Sequence, residues 1–317
     1  MKRAIVVGIL ILIALTAWQS RTSLLRLVPT PLVPLPPHDQ YALALSVTGV
    51  AATDAGRAWT AAAERALVHP PEVPLQHERD VAIATARHDA SAWRFQARRG
   101  QRITIEVSGT GEVFVDLFTN DGTTRVDSAP AHSTSLSYIA GNDEPLVARV
   151  QAPLAVSGEP NPATTTYRVT QRVEASLLFP VPGRTGRAVQ SGFGAGRDSG
   201  RRRHEGIDIF AARGTPVVAA ADGWITRQTS NRLGGNVVWL FAPGPRVSLY
   251  YAHLDAQAVR PGDRVDAGEV VGYVGNTGNA RTTAPHLHFG VYAPLDGAVD
   301  PLPYVVSPPL SARATRQ

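Results

Sequence analysis

Residues 285–291 read Pro285-His286-Leu287-His288-Phe289-Gly290-Val291, and how this stretch is read decides the fold around it. Polar and apolar residues alternate with a period of two. On a strand, residues i and i+2 share a face, so His286 and His288 point together while Leu287 and Phe289 face an apolar interior. The same reasoning applies upstream at His204-Glu205-Gly206-Ile207-Asp208. Ile207, Ile209 and Phe210 favour extended structure there, so His204 and Asp208, four apart, can also share a face.

Around these two stretches the chain is rich in glycine and in short apolar runs. Val217–Ala220, Gly223–Arg227, Asn236–Phe241, Val247–His253 and Val270–Val274 read as strands. Turn signals separate them, among them Ala221-Asp222-Gly223, Gly234-Gly235-Asn236, Pro261-Gly262-Asp263 and Gly275-Asn276-Thr277-Gly278. No long helical period interrupts them. The expectation is an all-β domain over residues 180–306, with a tail at 307–317.

Four of the nine histidines fall between His204 and His288, and the chain has no cysteine. Thiol nucleophiles, thiolate metal sites and disulfides are therefore excluded. Any metal is held by nitrogen and oxygen. Two imidazoles and one carboxylate leave a coordination position open, which is the plan of a catalytic zinc site and not of a closed structural one. A further histidine is then free for proton transfer. Two histidines and a carboxylate also describe non-haem iron sites. The HxxxD and HxH spacing, together with the export signal described below, favours zinc.

At these residues the chain resembles the M23 family of zinc peptidases, of lysostaphin or LytM type. The resemblance rests on Ser191-Gly192-Phe193-Gly194, HEGID at 204–208, GTPVVAAADG at 214–223, YAHL at 251–254, PGDRVDAGEVVGYVGNTGNA at 261–280 and PHLHFGV at 285–291. It covers residues 185–305. It implies that His204, Asp208 and His288 bind zinc, that His286 is the general base, and that His253 assists as proton shuttle or transition-state stabiliser. It implies a metalloendopeptidase that cuts peptidoglycan, at cross-links or stem peptides, through a metal-activated water. Some relatives have lost ligands and act as wall-binding activators of other hydrolases; the intact ligand set here makes that the secondary expectation. Two departures are visible. Gly290 stands where many relatives carry Glu, and an extended loop, Arg281–Ala284, precedes the HLH stretch. Arg201-Arg202-Arg203, just before His204, reads as a solvated basic loop, with carboxylates of the substrate as the sharper alternative.

The N-terminal half reads differently. Lys2-Arg3 precede an apolar run from Ala4 to Ala17, the pattern of an export signal. The run is shorter than the roughly 20 residues a spanning helix prefers. Residues 1–20 thus read as a signal peptide or an N-terminal membrane anchor, and either reading leads to the expectation that the remainder lies in the periplasm or cell envelope, with anchoring in the inner membrane as one form of it. Residues 28–37, VPTPLVPLPP, hold five prolines, so 21–40 reads as a stiff linker. A helical segment is expected over 41–72, centred on Thr53–Val68 and stopped by His69-Pro70-Pro71.

From 78 to 175 the period is two. Ala92–Ala97, Arg102–Val107, Val113–Phe118, Leu136–Ala140, Leu146–Val150 and Tyr167–Val173 suggest an antiparallel β-sandwich. The pattern resembles accessory modules of pre-peptidase type, and a wall- or sugar-binding role is one reading of it. His88 and His132 lie here without metal-like spacing. The fold class is therefore mainly β: a peptidase-type domain preceded by a sandwich and a short helical segment. The net charge of +5 comes from scattered arginines, Lys2 being the only lysine, and no nucleic-acid motif accompanies it.

Overall fold

The computed structural model describes residues 35–83, 89–154, 165–197 and 199–309. The apolar run after Lys2-Arg3, most of the expected linker, His88 and the tail from residue 310 lie outside the described residues. Among the described residues no helix is long and apolar enough to cross a membrane.

The described chain opens with two helices, α1 (Pro37–Val47) and α2 (Asp54–Val68). Helix α1 begins inside the stretch expected to be an extended linker. Proline at the first helical position explains this: its φ is preset for a helix and its missing N–H has no intrahelical partner to lose. Thr53 caps α2, its Oγ1 accepting from Gly56 N at 3.1 Å. Trp59 of α2 is buried against Leu45 and Phe114, and its Nε1 donates to Ala152 O at 2.8 Å.

Eight strands follow: β1 (His77–Ile83), β2 (Ala90–Ala97), β3 (Gln101–Ser108), β4 (Phe114–Thr119), β5 (Arg125–Ser128), β6 (Ser135–Ile139), β7 (Glu144–Gln151) and β8 (Thr165–Ala175). They form two four-stranded sheets, β1-β8-β3-β6 and β2-β7-β4-β5, with antiparallel neighbours throughout. Alternation along β3 and β8 sends Ile103, Ile105, Val169 and Val173 inward against Trp93, Phe95 and Leu146 of the other sheet. Trp93 Nε1 donates to Gln171 Oε1 at 2.7 Å, which satisfies two polar groups in the middle of this core. The helices cover the outer face of the second sheet. Ala66 and Leu67 pack on Ala92, Phe118 and Val147, so β4 and β7 are buried on both faces and read as apolar runs rather than alternations.

The second half contains β9 (Val189–Ser191), β10 (Gly196–Arg197), β11 (Arg202–Arg203), β12 (Ile207–Phe210), β13 (Pro216–Val218), β14 (Gly223–Asn231), β15 (Gly235–Ala242), β16 (Val247–Leu254), β17 (Ala256–Gln257), β18 (Arg264–Val265), β19 (Val270–Tyr273), β20 (His286–Ala293) and β21 (Gly297–Val299). The large sheet runs β18-β14-β15-β16-β20-β12-β9, with β21 on β20, and a small sheet runs β13-β19-β17. Ile207, Ile209, Leu249, Tyr251, Leu287 and Phe289 fill the core, together with Val217 and Val271 of the small sheet. A short helix, α3 (Leu302–Val305), closes the domain.

The two halves touch away from the histidines. Arg98 pairs with Asp300 at 3.2 Å and Arg99 with Asp296 at 2.9 Å. Ala175 N, at the end of β8, donates to Ser307 Oγ at 3.0 Å. Gly100 lies so close to the Tyr304 ring that a Cβ there would come within 2.3 Å of it.

Candidate metal centre

Strand β20 supplies two of the histidines and β12 the carboxylate. Their antiparallel register sets Asp208 opposite His288 and Phe210 opposite His286. His286 and His288 share a face of β20, as the alternation predicts. His204 does not ride the same strand as Asp208, because β12 begins only at Ile207. It reaches the site from the chain segment between β11 and β12, its N–H bonded to Ala195 O at 2.8 Å. Gly206 makes this possible. It passes so close to β20 that a Cβ would meet Phe289 O at 2.5 Å and His288 Nε2 at 2.7 Å.

Three ligand-type atoms converge. His204 Nε2 lies 2.9 Å from His288 Nδ1, and Asp208 Oδ1 lies 3.0 Å from the first and 3.1 Å from the second. On a tetrahedral zinc with bonds of roughly 2.0–2.1 Å, ligand atoms stand about 3.3 Å apart. His204 Nδ1 is 2.9 Å from Gly192 O, a pure acceptor, so Nδ1 carries a proton and a neutral ring presents a lone pair at Nε2. Two ring nitrogens and a carboxylate oxygen at such spacing need a positive centre between them, either a proton or a metal ion. The donor set fits a divalent metal, and these three residues form the metal-type cluster among the described residues.

The electrostatics agree with the geometry. Burial pushes the Asp208 carboxyl up, but its hydrogen bonds with His204 and His288 outweigh burial and hold it well below the usual carboxylate range. Burial pushes His288 below the ordinary histidine range in spite of Asp208. His253 is held down at about 4, first by burial and then by His288 and His286.

The two remaining histidines stand beside the cluster. His286 Nε2 is 3.9 Å from Asp208 Oδ1, its ring stacks on Phe210 at 5.0 Å, and its Nδ1 donates to Ala284 O at 2.9 Å. The extended loop before the HLH stretch thus orients His286 through a carbonyl. His253 sits at the end of β16 with φ 62°, a backbone region a non-glycine residue seldom occupies, and its Nδ1 donates to Thr277 O at 2.9 Å. Its ring is 5.0 Å from that of His286. In both rings the Nδ1–H is committed to a carbonyl, so Nε2 is the free acceptor.

All five residues line one cleft of about 800 Å³. Trp239, Tyr250 and Tyr292 form its aromatic floor, with Tyr292 OH donating to Glu205 Oε2 at 3.2 Å. Gly290, the departure noted above, underlies this floor: a Cβ there would lie 3.0 Å from the Tyr292 ring. Arg202 and Arg203 border the cleft and are exposed. Asn236 stays outside the lining and ties β15 to β16, donating to Leu254 O at 3.1 Å. His132 pairs with Glu112 on the distant sandwich. Every described residue lining the cleft comes from the second half of the chain.

Sequence reasoning missed Arg197, whose Nη2 lies 2.7 Å from both Asp208 Oδ2 and Ser191 Oγ. No motif marked it, since its partner is reached across a turn.

Peptidase family M23 matches residues 202–301, the segment that holds all five site residues. The C-terminal domain belongs to peptidase family M23. Among its relatives is the L-Ala–D-Glu endopeptidase of Bacillus subtilis, 36% identical over an alignment of 146 positions that covers 40% of this chain and 42% of the relative. The DD-carboxypeptidase/endopeptidase Mpg of Neisseria meningitidis is 48% identical over 89 residues, 28% of this chain and 20% of Mpg. The solved catalytic domain of lysostaphin from Staphylococcus simulans is 35% identical, with 36% of this chain and 88% of that domain covered and a TM-score of 0.33. The chain thus spans less than half the length of these two curated relatives.

Proposed function

We propose that this M23 protein is a zinc-dependent endopeptidase that hydrolyses peptide bonds of peptidoglycan outside the cytoplasm. The observation that carries the proposal is the convergence of His204 Nε2, His288 Nδ1 and Asp208 Oδ1 within 3.1 Å of one another in the lining of an open cleft. Endopeptidases acting at L-Ala–D-Glu and DD bonds among the relatives support the substrate class, and the apolar run after Lys2-Arg3 supports export.

His204, Asp208 and His288 would hold the ion. Bound zinc supplies Lewis acidity toward a water and toward the scissile carbonyl. The chain's other residues handle protons and position. His286 Nε2, left as an acceptor by the Ala284 hydrogen bond, takes the proton of the attacking water and returns it to the departing amine. His253 Nε2, left as an acceptor by Thr277, suits the shuttle role across the same space. The aromatic floor seats the substrate chain beside the reacting bond.

Digestion of purified sacculi by the protein, with and without a chelator, tests this. Mass spectrometry is expected to find fragments bearing new amino and carboxyl ends of cut peptide bonds, and the chelator is expected to abolish them. Sacculi left intact, or fragments cut only in the glycan, would sink the proposal.

A further inference from the structure

We infer that Arg197 is a positioning residue that selects which oxygen of Asp208 faces the metal. The inference deepens the proposed function and rests on its metal site. Arg197 Nη2 donates to Asp208 Oδ2 and to Ser191 Oγ, each at 2.7 Å. Ser191 in turn pairs with Asp208 across the β9–β12 ladder, and its Oγ stands 3.4 Å from His204 Nδ1. One guanidinium therefore ties together the strand behind the carboxylate and the carboxylate itself. With Oδ2 occupied, Oδ1 is the atom left to face His204 and His288.

Two effects of the guanidinium oppose each other. Its positive charge repels a nearby cation. Its hydrogen bonds fix a carboxylate that would otherwise rotate, or offer both oxygens and fill the open position. The side chain of Arg197 is 32% exposed, so solvent and salt screen the repulsion, whereas the hydrogen bonds are direct and the Asp208 side chain is only 10% exposed. Fixation therefore outweighs repulsion. Hydrogen-bond partners behind a metal ligand typically contribute about 10–100-fold in affinity.

Zinc affinity, read by competition with a chromophoric chelator, is measured for wild type, Arg197→Gln and Arg197→Lys, alongside the melting temperature of each metal-free protein. Arg197→Gln is expected to bind zinc about 10–100-fold more weakly. Arg197→Lys, which keeps the charge and one donor group, is expected to fall between. With cobalt(II) in place of zinc, the visible absorption of Arg197→Gln is expected to weaken, as coordination number rises when both carboxylate oxygens bind. Wild-type affinity and an unchanged cobalt spectrum in Arg197→Gln, or tighter binding, would overturn the inference. If Arg197→Gln melts far below wild type without metal, Arg197→Lys decides: weaker binding at unchanged metal-free melting supports positioning, and wild-type affinity and spectrum contradict it. Absence of zinc binding by the wild type would instead count against the metal site itself.

Discussion

Both halves of the chain bury charge inside antiparallel β-structure, and they do so to opposite ends. In the sandwich, Asp116 is 1% exposed and accepts from Arg149 Nη2 at 2.6 Å and Ser128 Oγ at 2.7 Å, with Arg125 Nε at 3.2 Å. Arg125 also pairs with Asp39, and the Arg149 guanidinium lies 4.9 Å from the centre of the Phe118 ring. Two guanidinium groups offset the buried carboxylate's charge, though the Nε atoms of Arg125 and Arg149 find no hydrogen-bond acceptor, and the network fastens α1 to the sheet. In the M23 domain, Asp208 Oδ1 faces two imidazole nitrogens at the same short range, and one of those rings has already given its N–H to a carbonyl. Burial is similar, but here the acceptors outnumber the donors and the cluster opens on a cleft. A charge-paired network stabilises a fold; a cluster whose carboxylate has only Oδ2 paired, to Arg197, while Oδ1 and two imidazole nitrogens converge on a cleft, is a place for an ion.

The largest effects are expected at the ligands. Wild type should carry about one zinc per chain. His204→Ala or Asp208→Ala should lose most of it together with sacculus-digesting activity, read by elemental analysis beside turbidity. Full zinc retention in both variants would break the contrast between the two halves.

His253→Ala comes next. Loss of a proton-transfer group costs a factor of about 10² to 10⁴ in rate. Zinc content and melting temperature should stay near wild type, and loss of the metal in this variant would move His253 into the ligand set.

On the sandwich side, Asp116→Ala leaves Arg149 buried without its counter-charge. Breaking one partner of a buried pair costs about 3–5 kcal/mol. Denaturant unfolding should show a loss of that size, while zinc binding by the folded protein is unchanged. A loss below about 1 kcal/mol, the range of surface pairs, would mean the Asp116 network is not the stabilising unit described.

The smallest effect is in acid. His38, then Arg125, hold the Asp39 carboxyl below the usual range against the opposing pull of burial. A carboxylate with a depressed folded pKa adds stability above its unfolded value of about 3.9, and that contribution fades as pH falls below it. Melting temperature should therefore drop below about pH 4, and Asp39→Asn should flatten that drop while lowering stability at neutral pH. An unchanged acid slope in the variant would remove Asp39 from the account.

What was legible in the sequence follows the same division. The alternation around HLH placed His286 and His288 on one face, and period-two patterning located most strands of both halves. The start of helix α1, residues 37–40, was not legible, because its leading prolines read as a spacer, whereas residues 41–47 fall within the expected helical segment. The buried Asp116–Arg149 pair was invisible, since nothing in a strand sequence says which charges meet. The carbonyls of Gly192, Thr277 and Ala284 that set three histidine tautomers are backbone atoms and carry no residue signature. The aromatic floor joins three strands through their register, so Trp239, Tyr250 and Tyr292 look unrelated along the chain. His204 and Asp208 were expected on one strand; they meet instead because Gly206 lets the chain hug β20.

The central claim is that neighbouring histidines on one face of β20 divide the work, His288 holding metal and His286 moving protons. Zinc content and sacculus turbidity, measured together on His286→Ala and His288→Ala, test it most directly. The account predicts near-normal zinc with activity reduced by a factor of about 10² to 10⁴ for His286→Ala, and loss of both zinc and activity for His288→Ala. Zinc lost from His286→Ala but kept by His288→Ala would exchange the roles, and full activity in both would place the chemistry elsewhere.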